Sequence, residues 1–322
     1  MRIAFLGLGH MGLPMALNLK AAGHEVVGFD VSPAAVEAAA AAGLETATSG
    51  ADAVRSPSEP DATRSSSERS ESKRGADVVI TMFQTGRQVL DAYTGGDAGE
   101  GLLVAADPDT LFIDCSTIAV DDARSAHELA VAAGHRMVDA PVSGGVVGAE
   151  NATLAFMVGG PDADFEAARP LLEAIGRRVV HCGGPGLGQA AKMCNNMILG
   201  VSQIAVAEAF VLGERLGLSH QALFDVASNA SGQCWALTTN CPVPGPVPTS
   251  PANNEYRPGF SGALMAKDLG LAEQAVGLTG VHARMGMLAR EIYREFAEGD
   301  GSQQDFSGII NTIRAESDER TA

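Results

Sequence analysis

Ile3-Ala4-Phe5-Leu6-Gly7-Leu8-Gly9-His10-Met11-Gly12 is the stretch that decides the fold. Ile3 to Leu6 is a short apolar run of the kind that fills a buried parallel strand. Residues 7–12 match G-x-G-x-x-G. An Ala- and Leu-rich helical stretch follows as far as Gly23, and Glu25-Val26-Val27-Gly28-Phe29 reads as a second strand ending at Asp30. Each part has a mechanical reason. Gly7 permits the tight strand-to-helix turn, Gly9 lets backbone approach a pyrophosphate, and Gly12 lets helix and strand pack closely. The helix N-terminus favours phosphate charge. Asp30 lies 18 residues beyond Gly12, where a carboxylate accepts bonds from ribose hydroxyls and repels a 2′-phosphate. No Arg follows to receive such a phosphate. The strand, glycines, helix, second strand and acid fall in order, so the expected ligand is NAD. Gly7, Leu8, Gly9, His10, Met11, Gly12 and Asp30 are its candidate contacts.

Further strands are expected at Asp77 to Met82, Leu111 to Ile113, Met137 to Ala140, Leu154 to Val158 and Val179 to His181. Helical stretches such as 120–133 and 162–175 separate several of them. The alternation predicts an α/β fold: an N-terminal Rossmann domain with a doubly wound, mainly parallel sheet. Ligands of such sheets sit at the carboxyl ends of the strands. That rule draws attention to Phe83-Gln84-Thr85, Asp114-Cys115-Ser116-Thr117 and Pro141-Val142-Ser143-Gly144-Gly145. Residues 56–74 interrupt the pattern with seven serines and many charges. They cannot bury enough apolar area to offset ordering, and read as a mobile loop.

Cys182-Gly183-Gly184-Pro185-Gly186-Leu187-Gly188 is the expected break, giving a dinucleotide domain over 1–182 and an all-α substrate and dimerisation domain over 183–322. The two are joined by a long helix from Gln189 to Leu216, expected to be largely buried. Lys192, Asn195 and Asn196 share one face of it at i, i+3, i+4. Buried polar groups need partners. Either Asn could belong to a packing network, but an inward Lys with no acid near it on the helix is better explained as a functional group. Trp235, the only tryptophan, suits a core or interface anchor as well as a pocket wall. The tail beyond Arg314 is polar and expected to fray.

With 22 Lys and Arg against 39 Asp and Glu, the net charge is −17. That disfavours nucleic acid and anionic membranes as partners. Five cysteines without a CxxC pair argue against a disulfide framework or zinc site, and fit a reducing cytoplasm. No metal is expected. No signal peptide is legible, and no apolar stretch is expected to approach the ~20 residues that span a bilayer.

Taken together, the motifs resemble the β-hydroxyacid dehydrogenases. They are residues 7–12, Asp-Cys-Ser-Thr-Ile at 114–118, Asp-Ala-Pro-Val-Ser-Gly-Gly at 139–145, Gly-Leu-Gly-Gln-Ala-Ala-Lys-Met-Cys-Asn-Asn at 186–196 and Met-Ala-Lys-Asp-Leu-Gly-Leu-Ala at 265–272. The likeness covers nearly the whole chain except 56–74 and the last few residues. Ser-Gly-Gln-Cys-Trp at 231–235 and Asn-Cys-Pro-Val-Pro-Gly at 240–245 look like the hydroxyisobutyrate branch. The resemblance implies Lys192 as catalytic general acid and base, and Ser116, Ser143, Gly144, Gly145 and Asn196 as substrate contacts. Thr117, Phe260 and Lys267 would be cofactor contacts, together with Phe83 and Gln84, which stand where the family usually has Leu-Pro. Ala152 replaces a usual Gly. The implied reaction is NAD-dependent oxidation of 3-hydroxyisobutyrate to methylmalonate semialdehyde. Separately, a long apolar helix with too little of its own domain to cover it predicts a homodimer or homotetramer. For a lysine to act as base near neutral pH, burial would have to lower its pKa.

Rival readings are weaker. Decarboxylating sugar-acid dehydrogenases need cations for a substrate phosphate, and the second half has no such cluster. Within the family, a tartronate semialdehyde reductase is the nearest rival reading; the 231–245 segment argues against it by resemblance. A non-catalytic NAD-binding interaction module, or an imine reductase, would lack Lys192.

Overall fold

The computed structural model describes residues 1–55, 75–96 and 99–319. The serine-rich loop expected at 56–74 lies outside the described residues. The chain divides into two compact units, Met1–Lys192 and Met193–Ala322.

Among the described residues, the first unit is built on a nine-stranded sheet. Its strands run in the spatial order Gly176–Gly183, Leu154–Gly159, Arg136–Asp139, Leu111–Asp114, Val78–Thr81, Arg2–Leu6, Glu25–Phe29, Glu45–Thr46, with Val142–Ser143 pairing Leu154–Gly159. From Arg136–Asp139 to Glu45–Thr46 every pairing is parallel. Leu154–Gly159 meets Arg136–Asp139 antiparallel, at Gly159 and Asp139 alone. The connection between those two strands holds the two-residue strand Val142–Ser143 and the short helix Gly145–Glu150. Strand ends 139 and 159 therefore converge at one edge of the ligand face.

The central strands are buried on both faces, which is why they read as continuous apolar runs: Arg2–Leu6, Val78–Thr81 and Leu111–Asp114 are buried throughout. One core layer, with Phe5, Met15, Leu19 and Phe156, lies on one face; a second, with Val79, Tyr93 and Phe112, lies on the other. Helices Gly12–Ala21, Val120–Ala132 and Asp162–Ile175 cover the sheet.

The long helix spans Leu187–Arg215. The two units part within it because its first turns pack on the strand ends of the first unit: a Cβ on Gly188 would lie 2.3 Å from the Met157 carbonyl oxygen. Two expectations about this helix are corrected. An 18-residue window of it has a mean hydropathy of 1.5, so by length and composition the helix is long and apolar enough to cross a membrane, contrary to the expectation that no such stretch is present. It is also only half buried: 50% of its apolar window is inside the protein, while Ile198 and Leu212 are 65% and 61% exposed. Only the face with Ile204, Ala207, Phe210 and Val211 enters a core, so it serves as a one-sided core helix.

The second unit is helical, with His220–Ala227, Gly262–Thr279, Arg284–Glu298 and Ile309–Glu319 as its main elements after the long helix. Phe210, Leu269, Tyr293, Phe296 and Phe306 form its core. Trp235 is 51% exposed and anchors no core. The tail is helical to Glu319 rather than frayed beyond Arg314. Arg314 Nε donates to Glu214 Oε2 at 3.1 Å and Arg215 pairs with Asp318, so the last turns are held by charge rather than by apolar contact.

Candidate active site

The glycine loop has the geometry its sequence requires. Gly7 has φ +95, and a Cβ there would sit 2.3 Å from the Met82 carbonyl oxygen. A Cβ on Gly12 would lie 1.8 Å from the Gly7 carbonyl oxygen. Gly9 is different: nothing lies within 4 Å of its Cβ position. The first and third glycines are demanded by the protein's own backbone, whereas the second leaves open space beside exposed His10. Those residues fit a dinucleotide whose phosphates approach backbone there. The Asp30 carboxylate stands at the end of Glu25–Phe29 and accepts from Leu8 N at 2.7 Å and Ser32 N at 2.8 Å. It thus orients the glycine loop. Leu8 is 2% exposed, a core residue whose backbone alone belongs to the loop surface. Met11 packs half-buried against the core.

Next along the strand ends, Phe83 N donates to Ser116 Oγ at 2.8 Å. Gln84 N donates to Gln88 Oε1 at 3.1 Å, a bond that the family's usual proline cannot make. Ser116 is fully buried, and its hydroxyl donates to Asp114 Oδ1 at 2.6 Å. That carboxylate oxygen also accepts from Thr81 Oγ1 at 2.8 Å. With its proton given to Asp114, the Ser116 side chain ties the 83–84 loop to the end of Leu111–Asp114; Thr117 after it is half-buried. Ser143 is half-buried too, ahead of Gly144 at φ +135 and Gly145 at φ +61. Only glycine adopts this pair readily. Ala152, where the family has Gly, takes φ +53, so it occupies a left-handed position with a side chain.

Lys192 is 6% exposed, in the second turn of Leu187–Arg215. The start of that helix is held by two side chains whose roles the sequence did not disclose. Asp139, 3% exposed, accepts from Gly186 N at 2.7 Å and Gln189 N at 2.9 Å. Gln189, fully buried, donates from Nε2 to the Ser116 carbonyl at 2.7 Å and accepts from Ile118 N at 3.2 Å. Burial pushes the Asp139 carboxyl up to about 6, against the pull of the two helix N–H bonds; nearby Asp114 adds to the rise. The only signal for either residue was its place inside a quoted motif. The first unit thus brings together the glycine loop, the 83–84 and 114–117 strand ends and Lys192's helix.

The remaining candidates lie in the second unit. Asn196 is 1% exposed and donates to Asp268 Oδ2 at 2.5 Å, while accepting from Asn195 Nδ2 at 3.0 Å. Lys267 Nζ lies 3.8 Å from Asp268 Oδ1. Asp268, missed in the sequence, therefore joins two predicted residues from different helices. Asn195 itself is exposed, off the buried face that it was expected to share. Phe260 N donates at 3.2 Å to Asp305 Oδ2, which also accepts from Gly259 N at 3.1 Å. Asp305 Oδ1 accepts from Asn240 and Ser307. One buried carboxylate thus fixes the irregular 240–262 segment.

Comparisons agree with this architecture. Residues 2–184 match the family described as the NAD binding domain of 6-phosphogluconate dehydrogenase. Residues 186–313 match that described as NAD-binding of NADP-dependent 3-hydroxyisobutyrate dehydrogenase. A probable 3-hydroxyisobutyrate dehydrogenase of Mycobacterium tuberculosis is 55% identical, over 98% of this chain and 99% of its own. An NAD-dependent L-serine dehydrogenase of Pseudomonas aeruginosa is 44% identical, over 96% of each. The solved structure of M. tuberculosis 3-hydroxyisobutyrate dehydrogenase with L-serine superposes with a TM-score of 0.86 at 55% identity, covering 97% of this chain and 98% of that one. The chain therefore belongs to the 3-hydroxyisobutyrate dehydrogenase family of β-hydroxyacid dehydrogenases, oxidoreductases that use a nicotinamide dinucleotide to act on small hydroxy acids.

Proposed function

We propose that the chain oxidises 3-hydroxyisobutyrate to methylmalonate semialdehyde with NAD, and that Lys192 moves the proton. The observation that carries this reading is a lysine 6% exposed, on a helix whose start is pinned to the strand ends beside the glycine loop. The dinucleotide, when bound, supplies a hydride acceptor. Lys192 Nζ takes the substrate's hydroxyl proton in oxidation and returns it to the carbonyl in reduction. Ser143 and the backbone N–H groups of Gly144 and Gly145 grip the carboxylate, and Asn196 hydrogen-bonds the substrate. Ser116 contributes by holding the 83–84 loop. Gly7, Gly9, Gly12 and Asp30 seat the cofactor's pyrophosphate and adenosine end, and a carboxylate at Asp30 disfavours the extra phosphate of NADP. Thr117, Phe260, Lys267, Phe83 and Gln84 contact its remainder. Residues 1–182 form the dinucleotide domain and 183–322 the substrate and dimerisation domain. The exposed apolar side of the long helix supports a homodimer or homotetramer, which a monomer in light scattering would sink.

L-Serine is the second reading, favoured by the relative named for it and by the solved M. tuberculosis complex. The two substrates share a hydroxymethyl group two bonds from a carboxylate and differ only in methyl against ammonium. One catalytic group serves both. The test follows NADH formation with each 3-hydroxyisobutyrate enantiomer and with L-serine, using NAD and NADP. Lys192→Ala should lose ~10²–10⁴-fold in kcat. A variant as active as the wild type ends the Lys192 assignment, and a higher kcat/KM for L-serine ends the substrate assignment.

A further inference from the structure

The start of the Lys192 helix carries more machinery than a helix end needs. A helix N-terminus leaves four N–H groups unpaired, and a serine or threonine cap ordinarily serves one of them. Here a carboxylate from a neighbouring strand, itself 3% exposed, reaches in and takes two. Gly186 N bonds one oxygen of Asp139 at 2.7 Å and Gln189 N bonds the other at 2.9 Å. Two bonds to two oxygens fix tilt as well as position. The fit leaves no slack. A Cβ on Gly159 would lie 2.5 Å from Asp139 Oδ1, and one on Gly188 would lie 2.7 Å from Oδ2. Both glycines make room for this carboxylate.

Gln189 forms a second strut from the same turn. Its side chain spans to the Ser116 carbonyl at 2.7 Å and to Ile118 N at 3.2 Å. One turn of helix is thus keyed to two separate strand ends, Asp139 and the loop after Asp114. Lys192 follows Gln189 by three residues, so any slide or rotation of that turn is carried to its side chain.

We infer that Asp139 is a positioning residue, braced by Gln189, that sets where the Lys192 ammonium stands over the strand ends. The inference rests on Lys192 as the proton-transfer group. Misplacing a reacting group by about 1 Å can cost on the order of 10²-fold in rate. A cap that merely stabilised the helix would show in unfolding and not in the chemistry.

The test uses the full-length enzyme. Asp139→Asn keeps size but turns an NH₂ toward one of the two backbone donors. It should lower kcat by about 10-fold or more while the NAD dissociation constant stays within about twofold. The same change is then made in Lys192→Ala, with turnover restored by added ethylamine. A diffusible amine is not tied to the helix, so Asp139→Asn should alter the rescued rate by less than about threefold. An equal loss in the rescued and lysine enzymes, or an NAD affinity falling in step with kcat, would overturn the inference. If no amine rescues Lys192→Ala, the split between kcat and NAD affinity decides by itself. If Asp139→Asn does not fold, Gln189→Leu cuts the second strut and must show the same split. Full activity in Lys192→Ala would remove the underlying reading, an outcome separate from any result at Asp139.

Discussion

Ala at position 9 and Ala at position 12 should fail in different ways, although both remove a glycine of one motif. In Gly12→Ala the new methyl starts 1.8 Å from the Gly7 carbonyl oxygen and 3.1 Å from Phe5 Cε1. An ordinary contact is about 3.5 Å, so something must move by roughly 1.7 Å. The obstacle is backbone, tied down by the Gly7 N bond to the Phe29 carbonyl at 2.9 Å. The expected cost is that of overpacking, about 1–3 kcal/mol, with NAD affinity lost as the helix shifts off its strand. In Gly9→Ala the methyl meets no protein atom within 4 Å. Stability should hold, or rise by up to about 1 kcal/mol through a stiffer unfolded chain. NAD should nonetheless bind at least about tenfold more weakly, roughly 1.4 kcal/mol. Thermal unfolding without cofactor, paired with calorimetric NAD titration, measures both quantities. If Gly9→Ala binds NAD as the wild type does, the space above Gly9 is not where phosphate approaches. If Gly12→Ala unfolds at the wild-type temperature, the packing argument fails.

Ala152 sits at φ +53, where a side chain costs roughly 1 kcal/mol, so Ala152→Gly should raise the midpoint of urea unfolding with activity unchanged; a lower midpoint refutes the strain. Asp139 is raised from 3.8 to about 6, so the folded chain holds this proton more tightly than the unfolded one. The stability it lends is complete below about pH 4 and lost as pH climbs through about 6, on the order of 3 kcal/mol across the window. Relative to Asp139→Asn, the wild type should lose that amount between those limits, and parallel stability–pH curves would contradict it. Asp30→Ala removes the acceptor for Leu8 N and the charge facing a 2′-phosphate. The NAD-over-NADP ratio of kcat/KM should narrow by about tenfold or more, and an unchanged ratio would move cofactor selection elsewhere.

Local chemistry explains what could be seen in the chain alone. Gly12 is dictated by a neighbour close in sequence, the Gly7 carbonyl, whereas Gly7 is crowded by Met82 from the next strand of the sheet; the buried strands 2–6, 78–81 and 111–114 announce themselves by apolar runs. Lys192 stood out because its isolation among apolar residues is itself a one-dimensional feature. The order of strands and helices followed from alternation, as did the helical second half from its periodicity.

Other features depend on groups that only folding brings together. Nothing near Asp139 in sequence shows that its carboxylate would meet Gly186 and Gln189, 47 and 50 residues on. Asp268 reaches Asn196 across 72 residues, and Asp305 reaches Asn240 across 65. Ser116 was expected as a substrate contact from its motif, which gives no hint that its hydroxyl would also bond Asp114 and Phe83 N. The long helix was read as buried because composition counts apolar residues without saying which face is covered. Pattern reports what a residue is and what stands within a turn of it. Whether a polar group is spent on the fold or left for chemistry depends on its distant partners, and those are chosen by tertiary packing.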